Sequence, residues 1–193
     1  MVPAKKIIGL IIALFLLTGM SGIGTWAFFN DVETSFSNVL AAGTLDLKTD
    51  DADGVSQTLL ASNLAPGDIV GPETIILKNS GSLPGSSLDL SFAYLENDGS
   101  PNPANKSANA TAAVIEVTTL NYGGSSILSS VSDNNTNGYK DVYDLYTANL
   151  TGQSGINSSS TKNFEIAVQL RTDVNKDFQA DGIDITMTFV LNQ

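Results

Sequence analysis

The 193-residue sequence predicts an all-β fold, a jelly-roll-like β-sandwich with one short helix, preceded by a cleaved signal peptide. Three observations carry that prediction. After Gly43 the apolar residues recur with period two, as in strands half buried on one face. The strands so marked are short, and clusters of Asn, Ser, Pro and Gly separate them, the residues that build turns and polar loops. Only Tyr139 to Leu150 carries helical spacing. Many short strands with at most one helix close as two packed sheets.

The chain begins with Lys5 and Lys6 as the only charges before Asp31, then an unbroken apolar run from Ile7 to Leu17, then Gly19, Ser21, Gly22 and Gly24. A basic start, an apolar run and small residues describe a cleavable export signal. At about 1.5 Å per residue the run is too short for the roughly 30 Å core of a bilayer. Carried on to Phe29 across the glycines, the same stretch reads instead as a retained anchor. Thr25-Trp26-Ala27 places the cut after Ala27, with Phe28 first in the mature chain. The expected organisation is a signal over 1–27, an N-terminal segment over 28–42 and a sandwich domain over 43–193.

Within the domain, Thr44 to Lys48 and Val55 to Leu60 open the strand series, and Thr49-Asp50-Asp51-Ala52-Asp53-Gly54 between them reads as a hairpin end. Asn63-Leu64-Ala65-Pro66-Gly67-Asp68 is a turn, with Pro66 and Gly67 suited to the centre of type II. Strands follow at Glu73 to Lys78 and at Ser87 to Leu95, where Leu88, Leu90, Phe92 and Tyr94 share a face. Asn97 to Ala112 reads as a surface loop, Ala113 to Tyr122 as the clearest strand, and Gly123 to Gly138 as loop again. In Tyr139 to Leu150, Val142, Leu145, Tyr146 and Asn149 fall on one helical face. After a loop over Gly152 to Lys162, Phe164 to Arg171 and Ile183 to Leu191 close the fold.

Composition excludes several function classes. The net charge of −11 becomes about −13 when residues 1–27 leave with two lysines and no acid, a field that repels nucleic acid and anionic lipid. With no cysteine in an exported chain, nothing is stapled, so stability comes from packing or from neighbouring subunits. The absence of histidine as well removes Ser-His and Cys-His nucleophiles and the usual zinc sites.

One stretch has metal-ligand spacing. Asp133, Asn135, Asn137, Asp141 and Asp144 stand at positions 1, 3, 5, 9 and 12 of an EF-hand-type calcium loop, with Gly138 at position 6. Asn fills two ligand positions and Asp144 replaces the bidentate Glu, so calcium binding would be modest. The alternative is a solvated Asn/Asp loop that caps a helix. Asp173-Val174-Asn175-Lys176-Asp177 resembles it but has Phe178 where Gly is needed, and reads as a structural turn. Five Asn-x-Ser/Thr sequons, at Asn105, Asn109, Asn134, Asn149 and Asn157, are glycosylation candidates, although a chain rich in Asn, Ser and Thr makes sequons by chance.

Gly24-Thr25-Trp26-Ala27-x-Phe29-Asn30-Asp31, Ala42-Gly43-Thr44-Leu45-Asp46-Leu47, Asn63-Leu64-x-Pro66-Gly67-Asp68, Asn79-x-Gly81-Ser82-Leu83 and the closing Asn175-Lys176-Asp177-Phe178-Gln179 occur in that order. Together they resemble the TasA/camelysin family of secreted proteins, which includes biofilm matrix fibre subunits and to which archaeal bundling pilus subunits look similar. The resemblance implies a jelly-roll subunit that polymerises with identical copies by donor-strand complementation, its N-terminal segment completing the next subunit's sheet. Residues 32 to 40 suit that role, since Val32, Thr34, Phe36, Asn38 and Leu40 alternate with Glu33, Ser35 and Ser37. Burying Val32, Phe36 and Leu40 is worth roughly 5 to 9 kcal/mol before entropy. The same segment could pack on its own domain as a first strand.

The expected function is therefore a structural subunit of an extracellular fibre or pilus, in contact with identical subunits, neighbouring fibres or cell surfaces, and with membrane only as a precursor. Cleavage after Ala27 would then switch assembly on. Camelysin-like relatives are described as metallopeptidases, but no histidine is present to hold zinc, and no cofactor beyond possible calcium is expected. The rival readings are a monomeric calcium-dependent adhesin and a type IV-like pilin that retains its N-terminal helix.

Overall fold

The computed structural model describes residues 44–193 apart from 51, 54, 55, 100–103 and 179. The signal, the cleavage site at Ala27 and Phe28, and the segment carrying Val32, Thr34, Phe36, Asn38 and Leu40 lie outside the described residues.

Ten strands form two antiparallel sheets: β1 (Leu47–Thr49), β2 (Ala52–Asp53), β3 (Ser56–Ala61), β4 (Ile69–Asn79), β5 (Ser87–Glu96), β6 (Ile115–Tyr122), β7 (Ser125–Ser126), β8 (Leu150–Ser154), β9 (Ser160–Leu170) and β10 (Ile183–Asn192). One sheet runs β3-β10-β5-β8 and the other β2-β1-β4-β9-β6-β7. From β3 onward the chain crosses between sheets at every connection except the β6–β7 hairpin, which is the winding of a jelly roll. The β1–β2 hairpin extends the second sheet beyond β4.

Alternation fills the space between the sheets. In β10 every second residue, from Ile183 through Ile185, Met187 and Phe189 to Leu191, is buried. Leu88, Leu90 and Phe92 of β5 and Phe164, Ile166 and Val168 of β9 complete the layer. Phe164 meets Phe189 edge-on at 5.2 Å, the geometry that aromatic quadrupoles favour.

Local differences from the sequence pattern have physical causes. The helix is only α2 (Val142–Thr147), because Ala148 is extended (ψ 138°) and Leu150 turns inward to pair with Leu90. Val142 and Leu145 are buried, whereas Tyr146 and Asn149 of the expected stripe are exposed. A second short helix, α1 (Ala108–Ala112), capped by Ser107, lies in the stretch read as loop. Strand β8 falls in the stretch read as helix end and loop, since an edge strand with Leu150 alone buried shows no alternation. Strand β4 starts at Ile69 rather than Glu73, its start disguised by Gly71-Pro72 at a register shift between Val70 and Glu73.

Candidate functional site

Strand β4 has two unlike halves on the side away from β9. Its last residues are sealed. Leu47, Lys48 and Thr49 of β1 pair with Asn79, Lys78 and Leu77. Fully buried Asn79 donates from its amide to the carbonyls of Leu83 (2.8 Å) and Ile156 (3.0 Å), while its Oδ1 accepts the Gly81 N–H at 3.0 Å. Ser80 N–H donates to Asp46 O at 2.7 Å, Leu83 N–H to Thr44 O at 3.1 Å, and Thr44 N–H to Ser82 Oγ at 3.1 Å. At Gly81 a Cβ would stand 2.1 Å from Thr44 O, so the close approach demands glycine. The described part of the 42–47 motif, from Thr44, and the 79–83 motif thus form one clasp. It anchors the chain where the N-terminal segment joins the domain.

The sealed half ends at Asp50, which is held at φ 51°. Its N–H donates to Ile76 O at 2.9 Å and its Oδ1 accepts the Ile76 N–H at 2.8 Å, so it takes the place of a strand neighbour. Beyond it, among the described residues, no strand pairs with β4 on that side, and none pairs with β3 on the side away from β10. The two unpaired edges flank a cleft of about 330 Å³. Leu59, Val70, Ile75 and Met187 line its apolar part, and Asp50, Gln57, Thr58, Leu60, Glu73 and Thr74 line the rest. Leu60 and Ile69 are both 58% exposed. Periodicity marked these strands, but pattern alone does not tell which edges stay unpaired.

The loop with calcium-like spacing is held by its own hydrogen bonds, which bring Asn135 and Asn137 onto Asp141. Asp133 accepts the backbone N–H groups of Asn137 (3.1 Å) and Gly138 (2.9 Å), with Gly138 at φ 89°. Asn135 and Asn137 each accept a backbone N–H two residues on, from Asn137 and Tyr139. Their amide groups both donate to Asp141 Oδ2, at 2.8 and 2.7 Å. Asp141 and Asp144 are fully buried and form a reciprocal capping box on α2. Burial pushes the Asp141 carboxyl above the usual carboxylate range, against the hydrogen bonds from Asn135, the Asp144 N–H and Asn137.

The second acidic run is a turn: Asp177 N–H donates to Asn175 Oδ1, and Arg171 grips Asp173 at 2.9 and 2.6 Å while its guanidinium lies 3.8 Å over Tyr139. All five sequon asparagines, Asn105, Asn109, Asn134, Asn149 and Asn157, are exposed. Asn109 accepts the Tyr94 hydroxyl and Asn134 donates to Thr147, two neighbours that spacing does not reveal.

A family model described as camelysin metallo-endopeptidase matches residues 4–193. No curated protein matches the chain. The metal in that description finds a poor donor set here. The sequence has neither histidine nor cysteine, and among the described residues no three or more acidic side chains group so as to hold an ion.

Proposed function

The chain belongs to the camelysin family, and on that premise we propose that it is a subunit of an extracellular fibre, polymerising by donor-strand complementation through its N-terminal segment. One observation carries the reading: Thr44, where the described chain begins, and the open edges lie towards opposite ends of β4. The clasp ties residues 44–47 beside Ser80 to Leu83, and β1 runs from there towards the cleft, so the described chain starts at the end of β4 away from it. A tail at one end and an acceptor at the other is a head-to-tail contact, which repeats without closing. The cleft supplies unpaired backbone and an apolar lining, which Val32, Phe36 and Leu40 of the next subunit would complement.

Export with cleavage after Ala27 creates the free tail, so the partners are identical copies, then neighbouring fibres or cell surfaces. Nucleic acid has no place beside this charge, and membrane enters only before cleavage. Glycans on the exposed sequons and calcium at the Asp133–Asp144 loop are accessory to the reading. It assigns no peptide hydrolysis, since the sequence has neither histidine nor cysteine to hold zinc and, among the described residues, no three acidic side chains group to replace them.

N-terminal sequencing and negative-stain microscopy of the native extracellular material test it. Fibres whose subunits begin at Phe28 are expected. Fibres beginning near Ile7 would favour a pilin with a retained helix, and a monomer beginning at Phe28 would favour an adhesin.

A further inference from the structure

The two edges of the cleft are unequal, and the geometry points to β3, not β4, as the strand to which the incoming segment is hydrogen-bonded. This inference rests on the fibre reading and says which sheet the neighbour's residues 32–40 extend. Backbone groups on one edge of a strand come from alternate residues. Ile76 turns its N–H and C=O away from β9, and both are already taken by Asp50. Two residues back, Thr74 is the next to face the open side. Next comes Pro72, which has no N–H, beside the register shift between Val70 and Glu73. The β4 edge therefore offers one complete donor–acceptor residue before it is interrupted.

The β3 edge has no such defects. Ser56 to Ala61 pair with Thr188 to Ile183 over six consecutive positions without a shift, and β3 contains no proline. Three alternate residues of β3 thus present both N–H and C=O to the cleft in one straight row. An added strand there becomes the fifth of the β3-β10-β5-β8 sheet. Its apolar residues face Leu59, Ile75 and Met187, while Glu33, Ser35 and Ser37 share the outer face with Ser56, Thr58 and Leu60. The occupant is a second copy of this chain, because residues 28–42 are long enough to span β3 and Thr44, which follows them, is held at the end of β4 away from the cleft.

The natural chain has no cysteine, so paired substitutions give a clean readout. Ser35→Cys or Ser37→Cys in one preparation is co-assembled with Thr58→Cys or Thr74→Cys in another. Thr58 and Thr74 are exposed, so both acceptor variants should fold. The expected result is a disulfide-linked dimer through Thr58→Cys, with hydrogen exchange slowing at β3 amides in fibres. Cross-linking through Thr74→Cys alone, with β3 exchange unchanged, overturns the choice of edge and leaves donor-strand assembly standing. Fibres that link through neither position, and show no slowing at either edge, overturn both.

Discussion

The sealed and open halves of β4 belong to one strand, share β9 as their inner neighbour, and differ in whether the outer backbone has a partner. From Leu77 to Asn79 the outer edge is covered by β1, and buried Asn79 joins three separate backbone groups into a clasp. From Ile69 to Ile75 the described chain leaves that edge bare above an apolar cleft. An isolated soluble domain usually blunts such an edge with charge, proline or a bulge. Here β4 carries the proline and register shift while β3 carries neither. The contrast teaches that one strand is closed at one end and open at the other, and that, on the proposed fibre reading, stability and assembly should respond to different residues.

The largest expected effect is on assembly. Leu60→Lys combined with Thr74→Lys changes only exposed side chains, so the melting temperature should stay within about 2 °C of the parent, because surface substitutions shift stability by roughly 0.5 kcal/mol or less. Fibre formation, followed by sedimentation and microscopy, should be lost. Normal fibres from this variant would break the comparison, since the open half would then be a bare edge with no use.

The opposite result is expected in the sealed half. Asn79→Ala leaves the carbonyls of Leu83 and Ile156 and the N–H of Gly81 without their partner in a buried site, which should lower unfolding stability by roughly 3 kcal/mol in denaturant titrations. Gly81→Ala drives a methyl group against the Thr44 carbonyl, and should cost on the order of 2 kcal/mol, with early proteolysis near residues 44–49 as its signature. A clasp variant that keeps full stability would show that the tail is anchored elsewhere.

How much of this was legible in the sequence follows from what each signal depends on. The alternation in β5 and β10 is a property of the strand itself, so Leu88, Leu90, Phe92 and Ile183 to Leu191 declare their buried face without help. Strand β8 depends on a neighbour, having Leu150 alone as its buried residue, and so reads as helix and loop. Gly67 at φ 96° in the Pro66-Gly67 turn is local and was readable. The clasp is not local, because Asn79 reaches Ile156, 77 residues away. The cleft is less legible still. It is defined by strand neighbours that β3 and β4 lack among the described residues, and one sequence does not display a missing hydrogen bond.

The smallest effect concerns the Asp133–Asp144 loop, where Asn135 and Asn137 meet the buried Asp141. Burial raises the Asp141 carboxyl in the folded state above its ordinary value of 3.8. A carboxyl raised by folding binds its proton more tightly when folded, so its contribution to stability is fully present below the unfolded value and is lost as pH rises through the folded one. Unfolding free energy should therefore climb as pH falls through the window between the raised value and 3.8, and Asp141→Asn should flatten that slope. Asp173 works in the other direction and in a lower window: Arg171 lowers its carboxyl, and the stability tied to that pair is lost only as pH falls below the ordinary range. The two slopes can be separated by titrating Asp141→Asn beside the parent. Calcium sharpens the test, because an ion bound beside Asp141 would compensate the buried charge and cancel the gain from protonation. If millimolar calcium raises the melting temperature of the parent at pH 7 but not that of Asp141→Asn, the loop is an ion site. With no shift in either, its carboxylates are satisfied by Asn135, Asn137 and the loop backbone, and the loop serves α2 as a cap.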